Sequence, residues 1–557
     1  MPLPQSGDTP WPPPHLDIPL ADMDVWQAWY SGDPNHLAAV YGGVAAYTRN
    51  GTARDFFDVD RRRIVNGELR MFWGQDPAPG QTAAKLHVPI AADIAEMSAN
   101  LLWSDVPQVT VDLDSTDAAT AASTQAQIGR YLDDRGHAKM REASEMTAGL
   151  SNVYLRVVWD RTLRPRPWTD VLPAAAVVPE WRWGMLAAAT VWRELEPLKD
   201  SGEVWRLLEY HTPGTIEYGV YLGGRDTIGM RKELSDHPDT EDLAKRTDTL
   251  GRQATGVDRL LITHLPNVLP NRIWDGVPHT APLGRSDFAG IEPMMDALDE
   301  AWTSWMRDLR LGKAKVLVPQ SMLETDGPGT GGTFDLDREL LVALNLLGDE
   351  HMKDSITELQ FKIRVEEHEA TCKALRRQIL SSAGYSAQSF GEEGSVAVTA
   401  TEVAARKEES LTTRGTKILY QRPALLDHLT TMMLVDVKHC GAKGVDPAAE
   451  LTATWSPAVQ PDPEATARTL SLLDAAGAIS TFMKVRMREP SWDDNEVRAE
   501  VQRIREDKQS AVPAGDPYNT GSRMPEEPND DEDAADAPDA GSDEGQDEDS
   551  ERDLKAA

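Results

Sequence analysis

Apolar residues recur at helical spacing through the middle of the chain. After Ser286-Asp287-Phe288, the residues Met294, Leu298, Trp302, Trp305 and Leu309 fall on one stripe, predicting a helix from Ser286 to Lys313. An extended patch, Lys315 to Pro319, follows directly. A second stripe (Ile356, Leu359, Ile363, Ala370) predicts a helix from Ser355 to about Ala383, opened by the capping-box pattern Ser355-Ile356-Thr357-Glu358. Ser386 to Gly394, with Gly391 and Gly394, reads as a loop. A second capping box, Thr399-Ala400-Thr401-Glu402, opens a third long helix whose interior Pro423 removes a hydrogen bond and predicts a kink. Asp462-Pro463 is an N-cap with proline at the first helical position. It predicts a helix to about Ala476, with another over Asn495–Asp507.

The first half alternates more. Residues 1–20 are rich in proline and predict an extended arm, and Asp24–Tyr30 predicts a short helix whose Trp26, Trp29 and Tyr30 pack in a core. Residues 86–90 read as extended and lead into a helix over Ala91–Trp103. A strand at Gln108–Val111 and one helix over Ala121–Ala148, stopped by Gly149, come next. Asn152–Trp159 alternates and is β-branched, as strands do. Further strands are predicted over Ala188–Glu194, Glu203–His211 and Ile216–Leu222, with Pro213-Gly214 turning between the last two. The fold class is therefore α+β, predominantly helical, with an antiparallel body over residues 1–285.

Composition narrows the functional classes. A chain of 557 residues exceeds what one core usually serves. Its apolar runs fall far short of the roughly 18 residues of a membrane helix. Met1 to Ser6 lacks the basic and apolar regions of a signal peptide, so synthesis in the cytoplasm is expected. Two cysteines, Cys372 and Cys440, cannot form a disulfide framework and suit small packed side chains. The net charge is −34. Residues 521–557 carry fifteen Asp or Glu against Arg523, Arg552 and Lys555, a net −12, which leaves −22 elsewhere. So acidic a chain should not grip phosphates broadly, since affinity for nucleic acid comes mostly from Lys and Arg. A channel through which DNA slides without sticking stays compatible. From Ala511 onward apolar residues run out, and the composition is that of a disordered acidic tail.

Patterns of catalysis are missing. Gly327 to Gly332 is rich in glycine, but Thr333-Phe334 follows where a phosphate loop needs lysine and Ser/Thr. His368-Glu369 begins like a zinc-protease helix, yet Cys372 stands where the second histidine belongs. Asp287, Asp296, Asp299 and Glu300 lack the symmetry of a di-metal cluster. The expectation is a protein that is not an enzyme and has no cofactor and no metal.

The order of these elements resembles the portal proteins of tailed bacteriophages, most of all those of actinobacterial phages, over roughly residues 20–510. The resemblance rests on Trp26, Trp29 and Tyr30, on Lys85–Ile94, on Asn152–Asp160, on Gly284–Glu292 with Asp296–Asp299, and on the order of elements through residue 438. It implies a portal-type ring subunit, about twelve copies closing a channel at one capsid vertex. Residues 1–20 would be an N-terminal arm and 21–285 the wing. Residues 286–313 and 355–384 would be the two stem helices, with the clip at 314–354. The tunnel loop would occupy 385–398, a long kinked helix 399–449, the crown 450–510 and the acidic tail 511–557. A stem helix of about 25 residues spans roughly 38 Å, enough to wall a channel. The implied DNA-proximal residues are Ser389, Phe390, Gly391, Glu392, Glu393 and Gly394, with Phe390 read equally as an anchor in the wing core. Basic residues on the stem (Arg307, Arg310, Lys313, Lys315, Lys373, Arg376, Arg377) would pair with acids of the adjacent subunit, such as Glu366, Glu367 or Glu369, or else face the lumen. The implied partners are copies of itself, capsid and scaffold proteins, terminase, head-completion proteins and double-stranded DNA passing without sequence specificity. The location would be the virion. Alternatives are another phage head structural or connector protein, which would not need paired stem helices around a clip, and an α+β hydrolase with an unrecognised site, which would be a monomer to tetramer instead of a ring near twelve times 61.3 kDa.

Overall fold

The computed structural model describes residues 3–42, 71–75, 85–112, 117–133, 135–198, 202–311, 315–317, 324–325, 332–333, 357–359, 364–391, 408–456, 463–489, 492 and 494–510. The chain divides into two units, residues 1–478 and 479–557.

The first unit opens with a strand, β1 (Gly7–Pro10), and a helix, α1 (Asp17–Ser31). The extended arm expected over residues 1–20 is thus partly a sheet strand and partly helix. The helix begins seven residues ahead of Asp24 because Pro19 sits in its first turn, where no backbone donor is needed. Next come α2 (Pro34–Gly42), α3 (Ile90–Trp103) and β2 (Gln108–Val111), then α4 (Ala118–Asp133) and α5 (Gly136–Leu150). The single helix predicted over Ala121–Ala148 is therefore two. Arg135 takes a left-handed φ of 68° between them, and a Cβ on Gly136 would lie 1.9 Å from the Tyr131 carbonyl oxygen, so only glycine fits.

Among the described residues nine strands follow: β3 (Asn152–Val158), β4 (Trp168–Pro173), β5 (Val177–Arg182), β6 (Met185–Glu194), β7 (Val204–Thr212), β8 (Thr215–Gly223), β9 (Thr227–Lys232), β10 (Arg252–Ala254) and β11 (Ile262–Pro266). A short helix, α6 (Glu241–Arg246), lies between β9 and β10. The main sheet runs β1-β9-β8-β7-β6-β5, and β10 pairs with the first half of β8. All its pairings are antiparallel. Both faces are covered, which period-two alternation makes visible at β7. Leu207 enters the main core with Val153, Leu155 and Leu425. Its neighbour Leu208 enters a second cluster with Leu3, Trp11 and Leu16 from the N-terminal arm. A three-stranded sheet, β11-β3-β4, supplies the other wall of the body.

The central helices differ from their predicted bounds. Glu292–Leu311 forms α7, and residues 287–291 are turns, because Gly290 takes a φ of 88° and Ser286 spends its hydroxyl on the carbonyls of Ala148 and Gly149. Strands β12 (Lys315–Leu317), β13 (Glu324–Thr325), β14 (Gly332–Thr333) and β15 (Thr357–Leu359) make two small antiparallel pairs, β12 with β15 and β13 with β14. The helix predicted from Ser355 therefore starts only at Val365, as α8 (Val365–Ser382). The β-bonding of Thr357–Leu359 to the extended patch at Lys315 outweighs the local capping pattern at Ser355–Glu358. The remainder of the expected clip lies outside the described residues, as does the Thr399–Glu402 capping box.

Helix α9 (Glu408–Val435) contains Pro423 and ends in a single wider turn, Asp436–Cys440. Strand β16 (Leu451–Thr454) then pairs antiparallel with β2. Residues 451–454, expected in the crown, thus belong to the body, since Leu451–Thr454 completes the ladder that β2 cannot form alone. Helix α10 (Pro463–Ala475) ends the described part of the unit. The second unit holds α11 (Thr481–Arg488) and α12 (Asp494–Ser510), packed through Val485, Val497 and Val501. Helix α11 is absent from the sequence expectation. Residues 511–557 lie outside the described residues.

Candidate functional site: a helical hairpin and its buried base

The sequence folds α7 and α8 into an antiparallel hairpin because each carries one apolar stripe and little else to bury. Met295 and Leu298 of α7 share a core with Cys372, Ile379 and Leu380 of α8. Further out, Trp302 packs on Trp305 at 5.0 Å, and Trp305 stacks nearly parallel on His368. At the outer end Asp308 accepts from Arg364 Nη2 at 3.0 Å and lies 2.9 Å from His368 Nε2. The hydrogen bond with His368, then that with Arg364, hold the Asp308 carboxyl below the usual carboxylate range.

Carboxylates lower on α7 accept from the backbone and side chains of two earlier segments. Asp296 accepts the amides of Phe72 and Trp73 at 2.6 and 3.2 Å, and burial pushes its carboxyl up to about 6. Asp299 accepts Trp73 Nε1 and the Val88 amide, and meets His87 Nδ1 at 2.8 Å. They fasten residues 71–75 and 85–88 to the helix. Among the described residues no group of His, Cys, Asp and Glu is arranged to hold a metal ion.

The base of the hairpin is a buried polar cluster. Asp287, just ahead of α7, receives Lys417 Nζ at 2.5 Å, Tyr385 Oη at 2.8 Å and Asn267 Nδ2 at 2.7 Å. Lys417 also donates to Ser98 Oγ of α3 at 2.6 Å. Lys417 and Asp287 are buried, their side chains 2 % and 7 % exposed, so the pair is shielded from water. Burial lowers the Lys417 ammonium pKa despite Asp287 beside it, and burial first, then Asp287, raises the Tyr385 phenol well above its usual value. Through Asp287 this cluster thus ties together the segment ahead of α7, Tyr385 in the segment after α8, and helices α9 and α3.

Residues 386–391 leave that base as a docked turn. Ala387–Phe390 is a 3-10 turn, the Ser386 amide donates to Ser410 Oγ, and Ser389 and Ser410 hydroxyls bond at 2.9 Å. Phe390 meets the Tyr385 ring edge-on at 6.3 Å. This part of the expected tunnel loop is held against α9, and the half-buried Phe390 ring packs beside Tyr385. The shared reason is Ser410: it is fully buried at the start of α9 and has to be hydrogen-bonded. Gly391 ends the turn at a φ of 77°. Glu392, Glu393 and Gly394 lie outside the described residues.

The basic residues do not gather in one place. Arg307 and Arg310 are exposed on the outer half of α7. Lys373 pairs with Glu369 of its own helix at 2.6 Å, and the charge of Arg376 acts on Asp93 of α3, both within the subunit. Arg377 is exposed on α8. Lys313 lies outside the described residues, and Lys315 is described only as part of β12.

Sequence reading missed Lys417, Ser98, Asn267 and Ser410. A signal existed in α9: Ser410, Lys417, Gln421 and His428 continue at helical spacing along the face that also carries Leu425 and Met432. Polar residues on an otherwise core-facing stripe mark buried partners.

No curated protein matches the chain. Two solved structures overlap it weakly: "Neck of empty GTA particle computed with C6 symmetry", at 16% identity over 72% of this chain and 91% of that one with a TM-score of 0.37, and "Neck of native GTA particle computed with C12 symmetry", at 15% identity over 78% and 92% with a TM-score of 0.34. Residues 255–514 match the family model described as "Phage portal protein, SPP1 Gp6-like". That span holds α7, α8, the docked turn and both members of the Asp287–Lys417 pair, so this part of the chain is similar to the phage portal protein family.

Proposed function

We propose that this chain is the subunit of a closed ring, about twelve copies, that forms the DNA channel between phage head and tail. The observation that carries the reading is that the portal-family match spans the amphipathic hairpin α7–α8 and the buried pair that fixes its base. A hairpin with its root locked to the body, and exposed residues such as Leu309 and Val365 at its far end, is suited to stand beside identical hairpins as a channel wall. In this reading the body before α7 is the wing, α7 and α8 are the stem, the β12–β15 pair roots the clip, and residues 385–398 make the tunnel loop. Glu392 and Glu393 would keep passing phosphates from sticking. Capsid, scaffold, terminase and head-completion proteins are the proposed partners, and the capsid vertex the proposed location. Among the described residues no helix is long and apolar enough to cross a membrane.

The family is one of structural proteins, and we further propose that packaging ATPase activity resides in a separate protein. The motivation is Thr333-Phe334 where a phosphate loop has lysine. ATP hydrolysis by the pure protein, lost on changing residues 327–333, would contradict this. The ring itself is tested by native mass measurement with negative-stain imaging. The expected result is annular particles near twelve times 61.3 kDa; a monomer to tetramer without a central channel would overturn the reading.

A further inference from the structure

For a chain of net charge −34, one recess in the body is unusually cationic. It has a volume of about 560 Å³ and is lined by Arg130, Arg135, Lys139, Arg164 and Arg166. Three elements bring them together: Arg130 comes from the end of α4, Arg135 and Lys139 from the tight turn into α5, and Arg164 and Arg166 from the loop before β4. The turn is built for this placement, because Gly136 lets the chain pass against the Tyr131 carbonyl and Arg135 is held in a left-handed conformation. Trp168 and Met432 give the recess an apolar lining beside the charges. Most of the charge already has a partner within the subunit: Lys139 pairs with Glu142 at 2.7 Å, Arg130 donates to Gln127, and Arg164 and Arg166 have interactions of their own.

We propose that this recess binds the acidic C-terminal segment, residues 521–557, of a neighbouring copy of the chain. Charge complementarity carries the assignment. Five cations line the recess, and that segment concentrates fifteen carboxylates against three basic residues. Concavity favours a peptide over a DNA duplex, since a duplex offers its phosphates on a rigid convex surface. A polypeptide places carboxylates into a recess on separate side chains, each meeting an arginine fork. The neighbouring-copy source rests on the ring reading above.

Zero-length carbodiimide coupling of the full-length protein tests the assignment, because it joins a lysine amine only to a carboxylate in contact with it. Lys139 is the lysine of the recess. Rings are assembled from a mixture of normal and heavy-isotope chains, coupled, digested and analysed by mass spectrometry. The expected products are amides between Lys139 and carboxylates of residues 526–553, with mixed-isotope pairs among them. Their yield should fall about tenfold in Arg130→Glu/Arg166→Glu and at high salt, with Arg130→Gln giving a smaller loss. Rings in which Lys139 couples only to Glu142 or to acids outside the segment overturn the inference and leave the ring reading standing. Links confined to one isotope overturn the neighbouring copy as source. A monomer overturns both.

Discussion

Lys417 Nζ sits 2.5 Å from Asp287 Oδ2 with both side chains buried, although 130 residues separate them in the chain. Because the same carboxylate also holds Tyr385, this contact joins the segment ahead of α7 to the segment that follows α8. Replacing Lys417 by methionine would leave Asp287 buried without its cation. The expected loss is about 3–5 kcal/mol in urea unfolding, and Lys417→Met/Asp287→Asn should recover part of it. A loss below about 1 kcal/mol in the single variant would mean the pair does not fasten the hairpin.

Acid should weaken the body through buried histidines. Burial lowers His264 and His428 from 6.5 to about 3. Between those values the unfolded chain binds protons that the folded chain refuses, so stability is full above about pH 6.5 and falls as pH drops. At pH 5 each should cost on the order of 2 kcal/mol relative to pH 7. Denaturation of His428→Gln across pH 5 to 7 should show a shallower slope than the parent. Equal slopes would show that His428 does not stay neutral in the fold.

Asp308 fastens the outer end of the hairpin. Its lowered carboxyl pKa means the contact to His368 and Arg364 is fully present above the ordinary aspartate value and lost as pH falls through the folded one. Asp308→Asn should raise amide hydrogen exchange in residues 365–372 at neutral pH while leaving residues 376–382 protected. Unchanged exchange in the first turns of α8 would count against this role.

Phe390 distinguishes an anchor from a contact to DNA. As an anchor on Tyr385, its replacement by alanine should cost about 1–2 kcal/mol, less than the 3–5 of a fully buried phenylalanine. Genome filling should remain normal in that variant and fail on deletion of residues 387–393. Unchanged stability with impaired packaging of Phe390→Ala would assign the ring to the lumen.

Much of this fold was legible from local periodicity. Gln108–Val111 forms the strand its alternation predicts, and Pro213-Gly214 turns β7 into β8 with Gly214 at a φ of 84°. Trp26 and Trp29 are buried as the aromatic spacing implies. Strands β4, β5, β9, β10 and β11 escaped, being short and interrupted by proline, glycine or charge; their pairing energy comes from neighbours distant in sequence. The split between α4 and α5 escaped too, since the apolar stripe continues across Arg135 while the backbone does not. At the candidate site the amphipathic stripes of α7 and α8 were readable, but their ends were not.

The sequence by itself determined the elements whose stabilising contacts lie within a few residues: the helical stripes, the turn glycines, the acidic balance and the absence of a phosphate-loop lysine. Tertiary structure decided what depends on partners far along the chain. Thr357–Leu359 became a strand because Lys315–Leu317 offers it a ladder, and residues 386–391 became a docked turn because Ser410 has to be satisfied. Asp287 and Lys417 became one ion pair because folding removes both from water, and a charge without a partner there costs more than any local propensity can return.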